Sequence, residues 1–199
     1  MTNSRGICSE TNSPQNNHLA EPRMTTVASN LLYSTLRERI VEHVFVGDAL
    51  RELWRLGVYD LEVLRSEFDA HGYDLVMARG KIVRHIQFKT GTQKKPGTVS
   101  LSRSLAEKPS GCAIWIRLNP DLGMGPSFWF GAAPGQRLAA LDGYPNSRRV
   151  TPNKTGVRPI RKNHHEVPGA AFVPRSTLRE ILADLFGHLP PTLVVEDSE

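Results

Sequence analysis

From residue 30 onward the apolar positions fall at helical spacing. Leu32, Leu36, Ile40, Val44, Leu50, Leu53 and Trp54 recur about every three or four residues, with Glu and Arg between them. The spacing predicts a long amphipathic helix ending near Gly57, where a residue without a Cβ suits a C-cap. Gly47 is a candidate break within it. The period then shortens. Residues 60–65 predict a strand, residues 69–72 a turn and residues 73–78 a second strand. Arg79-Gly80-Lys81 reads as a tight turn into a third strand over 82–90, so the last two strands form a β-hairpin. Lys94-Lys95-Pro96-Gly97 breaks the order, and residues 99–107 read equally as a short strand or a helical turn. Residues 112–118 are the continuous apolar run of a strand covered on both faces, and 128–131 predict another short strand.

Residues 142–170 are rich in Pro, Gly, Asn and Arg and predict a long irregular excursion. A closing helix follows over 177–187. Thr177 and Glu180 have capping-box spacing, and Leu178, Ile181, Leu182, Leu185 and Phe186 give the helix its apolar face. Residues 1–29 are rich in Asn, Ser and Thr and show no period; residues 188–199 carry Pro190-Pro191 and an acidic end. Both predict tails around one domain at 30–187. The order of elements predicts an α/β domain, a central mixed sheet flanked by helices.

Composition narrows the classes. The chain has 199 residues, 39% of them hydrophobic, enough to bury one core. Runs such as Ala113-Ile114-Trp115-Ile116 are too short to span a bilayer, so no membrane partner is expected. Two cysteines, Cys8 and Cys112, exclude a disulfide framework and the commoner Cys-rich zinc sites. The first residues lack the charged-then-apolar pattern of a secretion signal, which leaves a cytoplasmic protein as the expectation.

The net charge of +5 favours an anionic partner, and the charge is segregated. Over 79–108 stand Arg79, Lys81, Arg84, Lys89, Lys94, Lys95, Arg103 and Lys108 against Glu107 alone. Over 148–175 stand Arg148, Arg149, Lys154, Arg158, Arg161, Lys162 and Arg175 against Glu166 alone, while residues 37–74 are acidic. Two basic segments beside an acidic one suit a phosphodiester backbone held over a metal. Lys94, Lys95, Arg158, Arg161 and Lys162 are the candidate nucleic-acid contacts, with solvated basic loops as the plain alternative.

The informative chemistry lies at 66–90. Alternation puts Val83, His85, Gln87 and Lys89 on one face of the third strand, and Ile82, Arg84, Ile86 and Phe88 on the other. Ile86 and Phe88 suit a core. An amide and an ammonium sharing the opposite face suit a site, and a hairpin brings Asp74 within reach of them. Phosphodiester hydrolysis uses such a set. A hard divalent cation takes oxygen ligands from a carboxylate, an amide and a main-chain carbonyl, and a lysine orients or deprotonates water and offsets transition-state charge.

The Asp74…Gln87-Phe-Lys89 pattern resembles the PD-(D/E)XK, or restriction-endonuclease-like, nuclease superfamily, in the bacterial members with a Gln-X-Lys variant. The surrounding Gly-Tyr-Asp-Leu-Val and His-Ile-Gln-Phe-Lys-Thr stretches are similar to that group. So are the Pro109-Ser-Gly-Cys-Ala-Ile-Trp-Ile and Phe128-Trp-Phe-Gly-Ala-Ala-Pro-Gly stretches, and the resemblance covers roughly 30–187. It implies a restriction-endonuclease-like central mixed sheet flanked by helices, and cleavage of DNA with Mg²⁺ or Mn²⁺, often by a homodimer. It implies that Asp74 binds the metal, that Gln87 stands where a second metal-binding acid is usual, and that Lys89 is the catalytic lysine. Asp48 best fits the place of a first-helix glutamate, with Glu42 as second choice. Two departures from the family pattern are Gln87 for an acid and Asp48 for a longer Glu; they keep open a binding module of the same fold with weakened or lost chemistry. A defence or toxin component acting on RNA is a third reading.

Other residues carry weaker signals. Glu67 and Asp69 are candidates to touch a metal or plain loop acids, and His71 and His85 fall near the site. His164-His165 are adjacent, so on a strand they face opposite ways and read as a loop or phosphate contact. Cys112, Trp54, Trp115 and Trp129 read as core.

Overall fold

The structure, a computed structural model, describes residues 33–65 and 72–192. Cys8, Glu67, Asp69, His71, the expected N-terminal tail and residues 193–199 of the expected C-terminal one lie outside the described residues, whereas Leu189, expected in that tail, is buried in the core. Helix α1 spans Ser34–Arg55 and ends as the sequence predicts: Gly57 has φ +69°, its N–H donates to Trp54 O, and Val58 N–H donates to Leu53 O. That is a Schellman closure, available at low cost only to glycine.

The buried face of α1 differs from the expected one. Val41, Phe45, Ala49 and Leu53, at a strict spacing of four, point into the core, whereas Leu36, Val44, Leu50 and Trp54 are exposed, Trp54 at 67%. The helix carries two apolar stripes of similar period. Phe45 decides between them by packing edge-on against Phe88 at 4.9 Å, so the stripe a quarter turn away is left outside.

Six strands form the main sheet: β1 (Leu61–Arg65), β2 (Leu75–Arg79), β3 (Ile82–Gly91), β5 (Gly111–Leu118), β6 (Met124–Gly131) and β9 (Val173–Arg175), adjacent in that order. β3 and β5 run parallel and every other pair is antiparallel, so the sheet is mixed. The turn between β2 and β3 is the two residues Gly80-Lys81, with Arg79 paired to Ile82 and φ +56° at Gly80. The parallel connection from β3 to β5 runs through β4 (Val99–Ser102) and a single turn of helix, α2 (Arg103–Glu107), so residues 99–107 are strand and then helix.

The excursion expected over 142–170 is irregular over 149–159 but also carries two strands that the sequence reading does not predict. β7 (Asn146–Arg148) and β8 (Ile160–Val167) pair with each other, and β8 also pairs with β4, giving a second, three-stranded sheet. Polar letters hid these strands because the first half of β8 faces water. The closing helix α3 spans Leu178–Phe186 and has the expected capping box: Glu180 N–H donates to Thr177 Oγ1 at 3.2 Å, and Thr177 N–H to Glu180 Oε2 at 3.0 Å.

Two cores lie on opposite faces of the main sheet. On one, Leu75, Met77, Ile86, Cys112, Ile114 and Ile116 pack under α1 and α3, together with Leu189 beyond α3. On the other, Ala113 and Trp115 meet Leu101, Leu105, Leu141, Val167 and Phe172 of the second sheet and its connections. The chain is thus a mixed α/β protein with a mixed sheet flanked by a few helices. Among the described residues no helix is long and apolar enough to cross a membrane.

Candidate functional site

The two sheets part at the C-terminal end of β3 and leave a cleft of about 690 Å³, walled by the first half of α1, by β3 and by β8. Asp74, Gln87 and Lys89 all line it. Asp74 stands just before β2. Its N–H donates to Ile86 O at 2.8 Å, and its Oδ2 accepts from Phe88 N–H at 2.7 Å, which fixes the carboxylate beside the Gln87–Lys89 segment. Gly72, at φ +71°, allows this approach, because a Cβ there would collide with the Ser102 side chain.

Alternation along β3 is as the sequence predicts. Ile86 is fully buried and Phe88 half-buried on the helix side, while His85, Gln87 and Lys89 face the second sheet. Gln87 is only 6% exposed, and its Oε1 accepts from Ser102 N–H over a long 3.4 Å. Lys89 is half-buried and makes no ion pair among the described residues.

Asp48 does not join this group. It lies on the outward side of α1, bonds Arg51 at 3.0 Å and is not part of the cleft wall. The half of α1 that crosses the cleft presents Glu38 and Glu42 instead, one turn apart on one face. Glu42 is the second choice that the sequence offers for the first-helix acid. Glu38 was missed, though its four-residue spacing from Glu42 marks it as a neighbour. Glu42 is buried between two guanidiniums: Arg39 donates to its Oε2 at 3.0 Å, and Arg65 Nε lies 3.0 Å from its Oε1, close but poorly aligned. Its charge is therefore committed to those partners.

The basic residues divide into several groups. Arg161 and His164 line the cleft from β8, with Arg161 Nη2 donating to His164 Nε2 at 2.6 Å, and Arg37 lines it from α1. Arg158 and Lys162 are exposed beyond the cleft, and Lys94 and Lys95 are exposed on the loop after β3, also off its wall. Arg84 is not part of any basic surface: it is fully buried and donates to Leu185 O, Asp184 O, Ala132 O and Ser110 Oγ at 2.6 to 3.0 Å. Arg175 is taken up in a two-bond pair with Asp184, and Arg79 pairs with Asp60.

His85 packs edge-on against Tyr73 at 4.9 Å, and the Lys108 ammonium lies over the same tyrosine. Burial, with Lys108 adding to it, holds the His85 imidazole below its usual pKa, so the ring is neutral at pH 7. His164 and His165 do face opposite ways: His165 is buried and its Nδ1 bonds Tyr144 O at 2.8 Å. Cys112 is core; burial pushes its thiol up to about 12, which excludes it as a nucleophile.

In chemical terms the cleft offers the oriented Asp74 carboxylate, the Glu38 and arginine-paired Glu42 carboxylates, one amide, one ammonium, the His164 ring and a wall of guanidiniums. Among the described residues no three His, Cys, Asp or Glu side chains come together as a metal-ligand cluster. No protein-family model matches the chain, and no curated protein matches it.

Proposed function

We propose that this chain is a metal-dependent DNA endonuclease with the restriction-endonuclease-like fold, hydrolysing phosphodiester bonds in the cleft between its two sheets. The observation that carries the reading is the convergence of Asp74, Gln87 and Lys89, from either side of a tight hairpin, in one cleft that Arg37 and Arg161 also line. The parallel β3–β5 pair with antiparallel neighbours and α1 on one face supports the fold part of the reading.

The donor set fits Mg²⁺ or Mn²⁺ in one form. Mg²⁺ keeps several waters and takes one or two carboxylates plus substrate phosphate oxygens, so Asp74, the Gln87 amide oxygen and a β3 carbonyl suffice without an acidic triad. The bound ion would polarise the scissile phosphate and acidify the attacking water. Asp74 is the charged ligand, held in place by Phe88 N–H. Lys89 directs its ammonium at the water and the departing charge. Arg161 and Arg37 hold the flanking phosphates.

A second reading has its own observation. The Gln87 oxygen already accepts from Ser102 N–H, and Asp48 stands outside the site. Both favour a DNA- or partner-binding module that keeps the fold without the chemistry. Cleavage of supercoiled plasmid, branched and single-stranded DNA in Mg²⁺, Mn²⁺ or EDTA separates the two, with Mn²⁺ binding measured calorimetrically on the same protein. The nuclease reading expects metal-dependent cutting that Asp74→Ala and Lys89→Ala each reduce by about 10²-fold or more. DNA binding with neither cutting nor metal uptake establishes the module instead.

A further inference from the structure

Beyond the cleft the β7–β8 hairpin projects as a ribbon whose paired strands end at Arg148 and Ile160 and whose outer part, residues 149–159, is a long loop held by a few main-chain bonds. Arg148 pairs with Ile160, Arg149 N–H donates to Pro159 O, and Asn153 N–H donates to Val157 O near the tip. From 148 to 163 every residue is exposed on both faces except Pro159, which is half-buried. A ribbon with two wet faces gains nothing from core packing, so its shape must come from within. Asn153 Oδ1 supplies it, accepting from Thr155 N–H at 3.0 Å, Thr155 Oγ1 at 2.7 Å and Val157 N–H at 2.9 Å. The tip is built to hold one conformation while covering nothing.

Its surface chemistry is one-sided in charge. Arg148, Arg149, Lys154, Arg158, Arg161 and Lys162 lie on it, and no Asp or Glu occurs between Asp142 and Glu166. Apolar groups are interleaved and unburied: Val150 is 86% exposed, Val157 54% and Ile160 54%. Arg161 belongs both to the cleft and to a second depression lined by Arg149, Val150 and Asn153, so basic surface runs without interruption from cleft to ribbon.

We propose that this ribbon is an arm that enters the major groove of duplex DNA, the same duplex whose backbone lies in the cleft. The proposal rests on the nuclease-fold reading for the position of that backbone. The groove, about 12 Å wide and 8.5 Å deep, admits a two-stranded ribbon with its side chains, whereas the minor groove, about 6 Å wide, does not. Arginines on its edges meet phosphates, and Val150 and Val157 meet base edges, where thymine methyls offer apolar contact.

Full-length protein, in EDTA so that no cutting intervenes, is titrated with a fluorescent 30-base-pair DNA duplex and with an RNA duplex of the same sequence. The triple variant Arg148→Ala, Lys154→Ala, Arg158→Ala is expected to bind the DNA duplex about tenfold or more weakly at 0.1 M salt, with the salt slope reduced by roughly 2–3. Val150→Ser with Val157→Ser keeps the slope but flattens discrimination among duplex sequences. Methyl green, a major-groove ligand, competes with the arm and distamycin, a minor-groove ligand, does not. RNA duplex, whose major groove is too narrow, binds at least tenfold more weakly.

An unchanged affinity and slope in the triple variant overturns the arm. So does competition by distamycin alone, or equal affinity for RNA. The two readings fail separately: Asp74-dependent cutting with an inert ribbon leaves the nuclease and removes the arm, while ribbon-dependent duplex binding without cutting leaves the arm and removes the nuclease.

Discussion

Strands β3 and β8 carry similar letters: Ile82-Val-Arg-His-Ile-Gln-Phe-Lys89 in one and Ile160-Arg-Lys-Asn-His-His-Glu-Val167 in the other. In β3 the arginine disappears into the protein. Arg84 lies between β2 and β5 and under α3, where it meets the carbonyls of Asp184 and Leu185 at the end of that helix. In β8 the first four residues stand beyond the reach of β4, which pairs only from His164 onward, and Arg161 and Lys162 stay exposed. The strand pattern of a cation does not decide its fate. What decides it is whether unsatisfied acceptors converge where it points: a helix C-terminus supplies them for Arg84, and among the described residues nothing does so for Lys162.

The sharpest test of that contrast is Arg84→Ala. It leaves a cavity and strips a partner from three carbonyls and a hydroxyl, and the expected cost is about 3–5 kcal/mol. Arg158→Ala on the ribbon is expected to cost under about 0.5 kcal/mol. Urea unfolding of both variants measures the difference. Equal costs would mean that the buried guanidinium is no structural keystone and that β3 and β8 differ only in exposure.

The same contrast explains what could be read from the sequence. The β2–β3 hairpin was legible because its signals are local: Gly80 at the turn, alternating faces on β3, and Asp74 placed by short-range register. The α3 capping box and the Gly57 closure were legible for the same reason. β8 was not, because its pairing with β4 spans some sixty residues and its exposed half carries no apolar alternation to betray it. The burial of Arg84 was hidden because its partners, Ala132, Asp184 and Leu185, are remote in sequence. On α1 two apolar stripes of equal period competed, and only the partner Phe88 chose between them. That choice also turned Asp48 away from the cleft and brought Glu38 and Glu42 to it.

A smaller effect probes the polar face of β3. His85 is held below the usual histidine range by burial and by Lys108, so the fold favours the neutral ring. Below the ordinary value of about 6.5 the unfolded chain takes up the proton first, and stability falls with pH until the lowered folded value is passed. The stabilisation is therefore fully present above about pH 6.5 and lost on acidification. His85→Phe is expected to lessen that slope in thermal melts between about pH 7 and 5. A slope equal to that of the wild type would show that the neutral ring contributes nothing to acid sensitivity.

The smallest global effect belongs to the ribbon tip. Asn153→Ala removes an acceptor used by Thr155 N–H, Thr155 Oγ1 and Val157 N–H. All three bonds are exposed, so water replaces the acceptor at little net cost, and the melting temperature is expected to shift by no more than about 2 °C. The local consequence is larger. Without Oδ1 the tip has no core to fall back on, and Thr155 and Val157 amide exchange is expected to accelerate about tenfold or more while β3 amides keep wild-type rates. If β3 amides accelerate together with the tip, the ribbon and the sheet unfold as one unit, and the division between a packed strand and a self-supporting arm is lost. If only the tip responds, the arm is an independent element whose rigidity comes from one asparagine, and a preorganised arm loses less conformational entropy on entering a groove than a flexible one.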